Sequence, residues 1–102
     1  MPKKYFIIRI NNNVEIQVAF ETIHGLIVDF VGKLILKKNG KHCEVIRFDS
    51  GHNCPHKDIL SHGGKTIRKI WYELLDNKQA LDLAIKDLKE NYEIYIERFG
   101  KR

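Results

Sequence analysis

Val14-Glu15-Ile16-Gln17-Val18-Ala19-Phe20-Glu21 places an apolar side chain at every second position, with Glu15, Gln17, Ala19 and Glu21 between them. Successive side chains of a strand point to opposite faces, so this stretch has one dry face and one wet face. That is the pattern of an antiparallel sheet covered on one side only. The cover must therefore come from elsewhere in the chain.

Working outward, Phe6, Ile8 and Ile10 alternate with Tyr5, Ile7 and Arg9, and Asn11-Asn12-Asn13 supplies a turn back into the quoted strand. On the other side, Gly25 precedes an apolar-rich run over 26–36 that is interrupted by Asp29, Gly32 and Lys33. Gly32 marks a bend or bulge that would let this run serve as two strands, because glycine tolerates the backbone angles of a bulge. Asn39-Gly40 is a strong two-residue hairpin signal and pairs 33–37 with 42–49. The alternation fails from Ser50 to Pro55, where a loop fits. A short strand over 56–60 follows, then the turn Ser61-His62-Gly63-Gly64 and a β-branched and aromatic strand over 66–72.

The last quarter changes period. Leu81, Ala84, Ile85, Leu88, Tyr92, Tyr95 and Phe99 recur in steps of three and four, one apolar stripe on a long helix over about 77–99. Asp76 and Gln79 have the spacing of a capping box, and Gly100 fits the position just past the helix end. The expectation is an α+β fold in one domain, 1–102: a mostly antiparallel β-meander of about five or six strands over about 4–72, packed by one long C-terminal helix.

With 102 residues, 43% hydrophobic and 30% charged, the chain is not a disordered, collagen-like or disulfide-scaffold sequence. No run approaches the roughly 20 apolar residues of a membrane span, and no secretory leader pattern is present. Two cysteines, Cys43 and Cys54, are too few for a secreted disulfide framework. A cytoplasmic protein with reduced cysteines, no cofactor and no membrane partner is expected. The net charge is +5. Because 76–97 holds six acids against three bases, the positive charge is concentrated outside the helix. Lys57, Lys65, Arg68 and Lys69, beside Trp71 and Tyr72, are the candidate nucleic-acid-binding residues: cations for phosphates next to rings that can stack on bases.

The segment 47–58 holds two histidines, two aspartates, an arginine, a lysine and a thiol. Three readings compete. In the first, His52 and His56 act as acid and base in metal-independent phosphodiester cleavage. Arg47, Lys57 and Arg68 stabilise charge on phosphate, and Asp49 or Asp58 orients an imidazole. In the second, His52, Cys54, His56 and Cys43 hold zinc, although His-x-Cys-x-His is not a usual finger spacing. In the third, the segment is structural, with Asp49 and Asn53 capping turns and Arg47 pairing with Asp49 or Asp58. His24, His42 and His62 read as ordinary exposed residues beside turns.

Asn39-Gly40-Lys41, Val45-Ile46-Arg47-Phe48-Asp49, Gly51-His52 and His56-Lys57-Asp58 resemble the strand–strand–loop region of TumE-type toxin proteins and related small bacterial and archaeal proteins. The likeness extends over about 34–99. It implies the toxin component of a toxin–antitoxin pair, with RNA as target and a small antitoxin protein as partner; with the acid–base reading of the segment, the expected site is His52, His56, Arg47 and Asp49. The other readings are a non-catalytic nucleic-acid- or protein-binding module and a zinc-binding regulator. An uncovered edge strand would also allow a homodimer.

Overall fold

The computed structural model describes residues 3–102, apart from the side chain of His52. Six strands run in the order β1 (Lys3–Asn11), β2 (Val14–Ile23), β3 (Leu26–Lys38), β4 (Lys41–Asp49), β5 (His56–Leu60) and β6 (Thr66–Trp71), followed by α1 (Asn77–Gly100). Every strand pairs antiparallel with its neighbour in sequence, so the sheet order is β1-β2-β3-β4-β5-β6. This is the expected α+β meander with a C-terminal helix.

Tight turns join the strands. Positive φ at His24 and Gly25, and again at Asn39 and Gly40, supplies the paired left-handed residues that a two-residue hairpin needs. The run over 26–38 does not divide at Gly32. It forms one 13-residue strand, β3, and the glycine is spent on close packing instead: a Cβ at Gly32 would lie 3.8 Å from Cβ of Ala84 on the helix. The register shifts fall elsewhere, between Glu21 and Thr22 and between Leu34 and Ile35. At the second of these, Leu34 pairs with Ile46 and Ile35 with Glu44, leaving Val45 as an extra residue in β4. The bulge reverses the parity of the strand. Val45 and Ile46 are both buried, and Glu44 reaches the same face as Arg47.

Cross-strand pairing sorts the side chains into two faces. Val18, Gly32, Phe48 and Lys57 share one row, and Ile16, Leu34, Ile46 and Ile59 another, all facing α1. Ala80, Leu81, Ala84, Leu88 and Phe99 of the helix complete this core with Ile16, Val18, Leu34, Ile46 and Phe48. The helix starts with a complete capping box, in which Gln79 N–H donates to the Asp76 carboxylate at 2.8 Å and Asp76 N–H donates to Gln79 Oε1 at 3.0 Å. Gly100 is not the left-handed residue past its end. The helix runs through Gly100 and closes at Lys101, in the right-handed region at φ −95°, whose N–H donates to the Arg98 carbonyl at 3.2 Å. His62, expected as an ordinary turn residue, fastens this end of the helix. Its Nε2 lies 2.7 Å from the Phe99 carbonyl oxygen and its ring centroid 4.2 Å from that of Phe99. No helix among the described residues is long and apolar enough to cross a membrane.

Candidate functional site

With the helix on one face, the other face of the sheet is open. Two rows of paired residues cross it. One runs Gln17, Lys33, Arg47, Asp58, Lys69, and the other Ala19, Val31, Asp49, His56, Trp71. A cleft of about 720 Å3 lies over them, and Lys3, Lys4, Arg47 and Lys69 face Glu21, Asp29, Glu44, Asp49 and Asp58 within its walls. Acids thus outnumber Lys and Arg side chains in the cleft.

At its floor, His56 is 2% exposed. Its Nδ1 lies 3.1 Å from the Cys54 carbonyl oxygen, and its Nε2 lies 3.0 Å from Asp49 Oδ1 and 3.6 Å from Asp58 Oδ2. A carbonyl oxygen only accepts, so Nδ1 carries the proton of that contact and Nε2 is directed at the two carboxylates. Trp71 walls the imidazole on the β6 side, with ring centroids 4.9 Å apart. Asp49 is held from two further directions, by Arg47 Nε at 2.9 Å and by the Gly51 N–H at 2.8 Å. The approach explains the glycine, since a Cβ at Gly51 would come within 3.0 Å of Asp49 Oδ1. Burial works against the charge of the Arg47 guanidinium, but hydrogen bonding to Asp49 and the field of Glu44 outweigh it, so its pKa lies above the ordinary arginine value. Asp58 is 7% exposed, and its Oδ1 receives no hydrogen bond, with Lys69 Nζ at 3.5 Å as an ion-pair neighbour.

The candidate residues read from the sequence divide as follows. Arg47, Asp49 and His56 come together on the open face and share the Asp49 carboxylate. The backbone of His52 lies in the single 3₁₀ turn 51–53, and its side chain, half of the expected acid–base pair, lies outside the described residues. Lys65, Arg68 and Lys69 are exposed on β6 and the turn before it. Lys57 is 8% exposed and faces the helix, where its Nζ lies 2.5 Å from the Tyr95 hydroxyl and 3.4 Å from Asp87 Oδ2. Tyr95 in turn donates to Asp87 at 2.5 Å; burial, then this bond, raises its pKa well above the ordinary tyrosine value. Among the described members of the zinc set, Cys43, Cys54 and His56 do not form a ligand group. Cys43 packs against the core and Cys54 Sγ lies 3.6 Å from the Pro55 carbonyl oxygen. The metal-ligand-type group among the described residues is Asp49, His56 and Asp58, whose ligand atoms lie within 4.8 Å of one another. Asp58, read from the sequence as one of two acids able to orient an imidazole, stands two positions from His56 on a strand and so shares its face. One member of the site, Glu44, escaped the sequence reading and carried no signal, because only the bulge at Val45 brings it beside Arg47.

No curated protein and no solved structure matches the chain. A family model does match it over residues 1–102, and the chain accordingly belongs to the family described as a domain of unknown function, DUF7718.

Proposed function

We propose that this protein binds single-stranded RNA along β6, the edge strand that borders the open face. The observation that carries this reading is the make-up of that edge. Trp71 is 44% exposed, Lys69 Nζ stands 5.2 Å from its ring centroid on the same face, and Arg68 and Lys65 are exposed along the same edge, Arg68 on the strand's other face and Lys65 in the turn before it. An exposed aromatic face with a cation over it, on an edge that carries further cations, suits a nucleotide strand, with the ring stacking on a base and the cations meeting phosphates. The resemblance of 34–99 to TumE-type toxins supports RNA as the ligand. Metal-free cleavage by His56 has less support. Its Nδ1 is committed to the Cys54 carbonyl and its Nε2 faces Asp49, so neither nitrogen is offered to the cleft as a free acid or base. The acid excess within the cleft likewise supports the β6 edge, rather than the cleft floor, as the phosphate-bearing surface.

Fluorescence anisotropy with a labelled single-stranded RNA of mixed sequence tests the reading. Binding should weaken steeply with added salt. Trp71→Ala should cost about 1–3 kcal/mol, the usual worth of one base stack. Arg68→Ala should reduce the slope of log affinity against log salt by about one. No binding at low salt, or binding that neither substitution alters, would overturn the proposal.

A further inference from the structure

We infer that Asp49, His56 and Asp58 form a seat for one divalent transition-metal ion, of the Zn2+ or Mn2+ class, at the floor of the open-face cleft. This goes beyond RNA binding and stands without it.

Three observations converge on these residues. The first is the orientation of His56. A metal-bound histidine characteristically gives its second ring nitrogen to a carbonyl or carboxylate, which fixes the tautomer and aims the other nitrogen at the ion. His56 does this, with Nδ1 on the Cys54 carbonyl at 3.1 Å and Nε2 toward the two aspartates. Nε2 thus faces a carboxylate oxygen at 3.0 Å, a contact that calls for a cation between the two atoms, which a proton or a metal ion supplies.

The second is spacing. Metal–ligand bonds of about 2.0 Å in a tetrahedron set the ligand atoms about 3.3 Å apart. The Nε2 separations of 3.0 Å and 3.6 Å from the two carboxylates bracket that distance, and all three ligand atoms lie within 4.8 Å of one another, so the two carboxylates need only draw together on the ion. The third is Asp58 itself, a carboxylate 7% exposed whose buried Oδ1 receives no hydrogen bond. Burying such an oxygen is costly unless a strong partner meets it, and the Lys69 ammonium at 3.5 Å is only an ion-pair neighbour.

The surroundings suit a metal as well. Ligating carboxylates are usually steadied from behind, and Asp49 is steadied by Arg47 at 2.9 Å and the Gly51 N–H at 2.8 Å. Two carboxylates with one imidazole and no thiolate select an ion of intermediate hardness. The nitrogen donor disfavours Ca2+ and Mg2+, and the absence of sulfur disfavours Cu+. All three residues line the cleft, and three protein ligands leave coordination positions that water or an anionic oxygen would complete.

The test is titration of chelator-treated protein with Zn2+, followed by calorimetry and by the fluorescence of Trp71. This is the sole tryptophan, and its ring lies 4.9 Å from that of His56. One ion per chain should bind, with a change in Trp71 emission at the same stoichiometry. Asp58→Asn and His56→Gln should each weaken binding by at least about 10–100-fold, the loss already typical when an outer partner of a metal ligand is removed. His42→Ala, at an exposed histidine away from the cluster, should leave it unchanged. Circular dichroism establishes that each variant is folded. Should His56→Gln and Asp58→Asn both fail to fold, Mn2+ broadening of the Trp71 indole N–H resonance in the unaltered protein decides the question. Absence of Zn2+ binding, equal affinity in the Asp58→Asn protein, or Mn2+ broadening that spares Trp71 would overturn the site. RNA binding that persists after chelation would leave the β6 reading intact, so the two proposals fail separately.

Discussion

Glu15 is a carboxylate with 3% exposure, held by Lys37 Nζ at 3.0 Å and by Gln17 Nε2 at 3.0 Å. The hydrogen bonds from Gln17 and Lys37 pull its pKa below the ordinary glutamate value, against the opposing effect of burial. A depressed folded-state pKa means that the unfolded chain binds the proton first as the solution is acidified. The stabilisation is present above about pH 4.3, the unfolded value, and is lost as pH falls through the lower folded one. The stability gap between the native protein and Glu15→Gln should therefore be wider at pH 7 than at pH 3 in urea denaturation. An equal gap at the two pH values would show that the ion pair contributes nothing. Charge alone did not reveal which cations work in this way. Lys57 reads as one of a basic group with Lys65, Arg68 and Lys69, yet strand parity turns it inward to Asp87 and Tyr95 while Lys69 stays outside. The side chains at 56 and 58 share a face by the same parity, so the His56–Asp58 neighbourhood was legible in the sequence. The convergence of Asp49 on His56 was not, because it depends on the β4–β5 register across an irregular loop.

Among the elements, β3 shows how a glycine can be read two ways. In sequence, Gly32 looks like a break in a long apolar run. In the fold it lies under the helix, opposite Ala84, where a Cβ would just reach contact distance. Gly32→Ala adds a Cβ at an ordinary contact distance of 3.8 Å and should change stability little. Gly32→Leu would push α1 off the strand and should cost about 1–3 kcal/mol, the usual range for overpacking, measured as a lower denaturation midpoint with an unchanged slope. The helix itself was the most legible element. Its stripe Leu81, Ala84, Leu88 is buried as the three- and four-residue steps require, and Asp76 and Gln79 close the expected box. The bulge at Val45 was illegible because alternation through 43–48 is compatible with either parity until both β-neighbours are in place.

At the scale of the whole molecule, the helix is the one layer that covers the sheet's dry face, which the alternation in β2 had required. A chain ending at residue 75 would lack Ala80, Leu81, Ala84, Leu88 and Phe99, and would expose Ile16, Val18, Leu34, Ile46 and Phe48 together. Such a chain should show no cooperative thermal transition and should bind a hydrophobic dye strongly. A cooperative transition in the truncated chain would mean that the sheet is stable without its cover. The strand order has a kinetic consequence too. Since each ribbon pairs with the one made just before it, assembly can proceed hairpin by hairpin as the polypeptide lengthens, with little loop closure to wait for. The covering layer is synthesised after all six strands. A growing chain on the ribosome therefore carries a nearly finished sheet with its greasy side bare until α1 emerges, and in that interval a chaperone has most to protect.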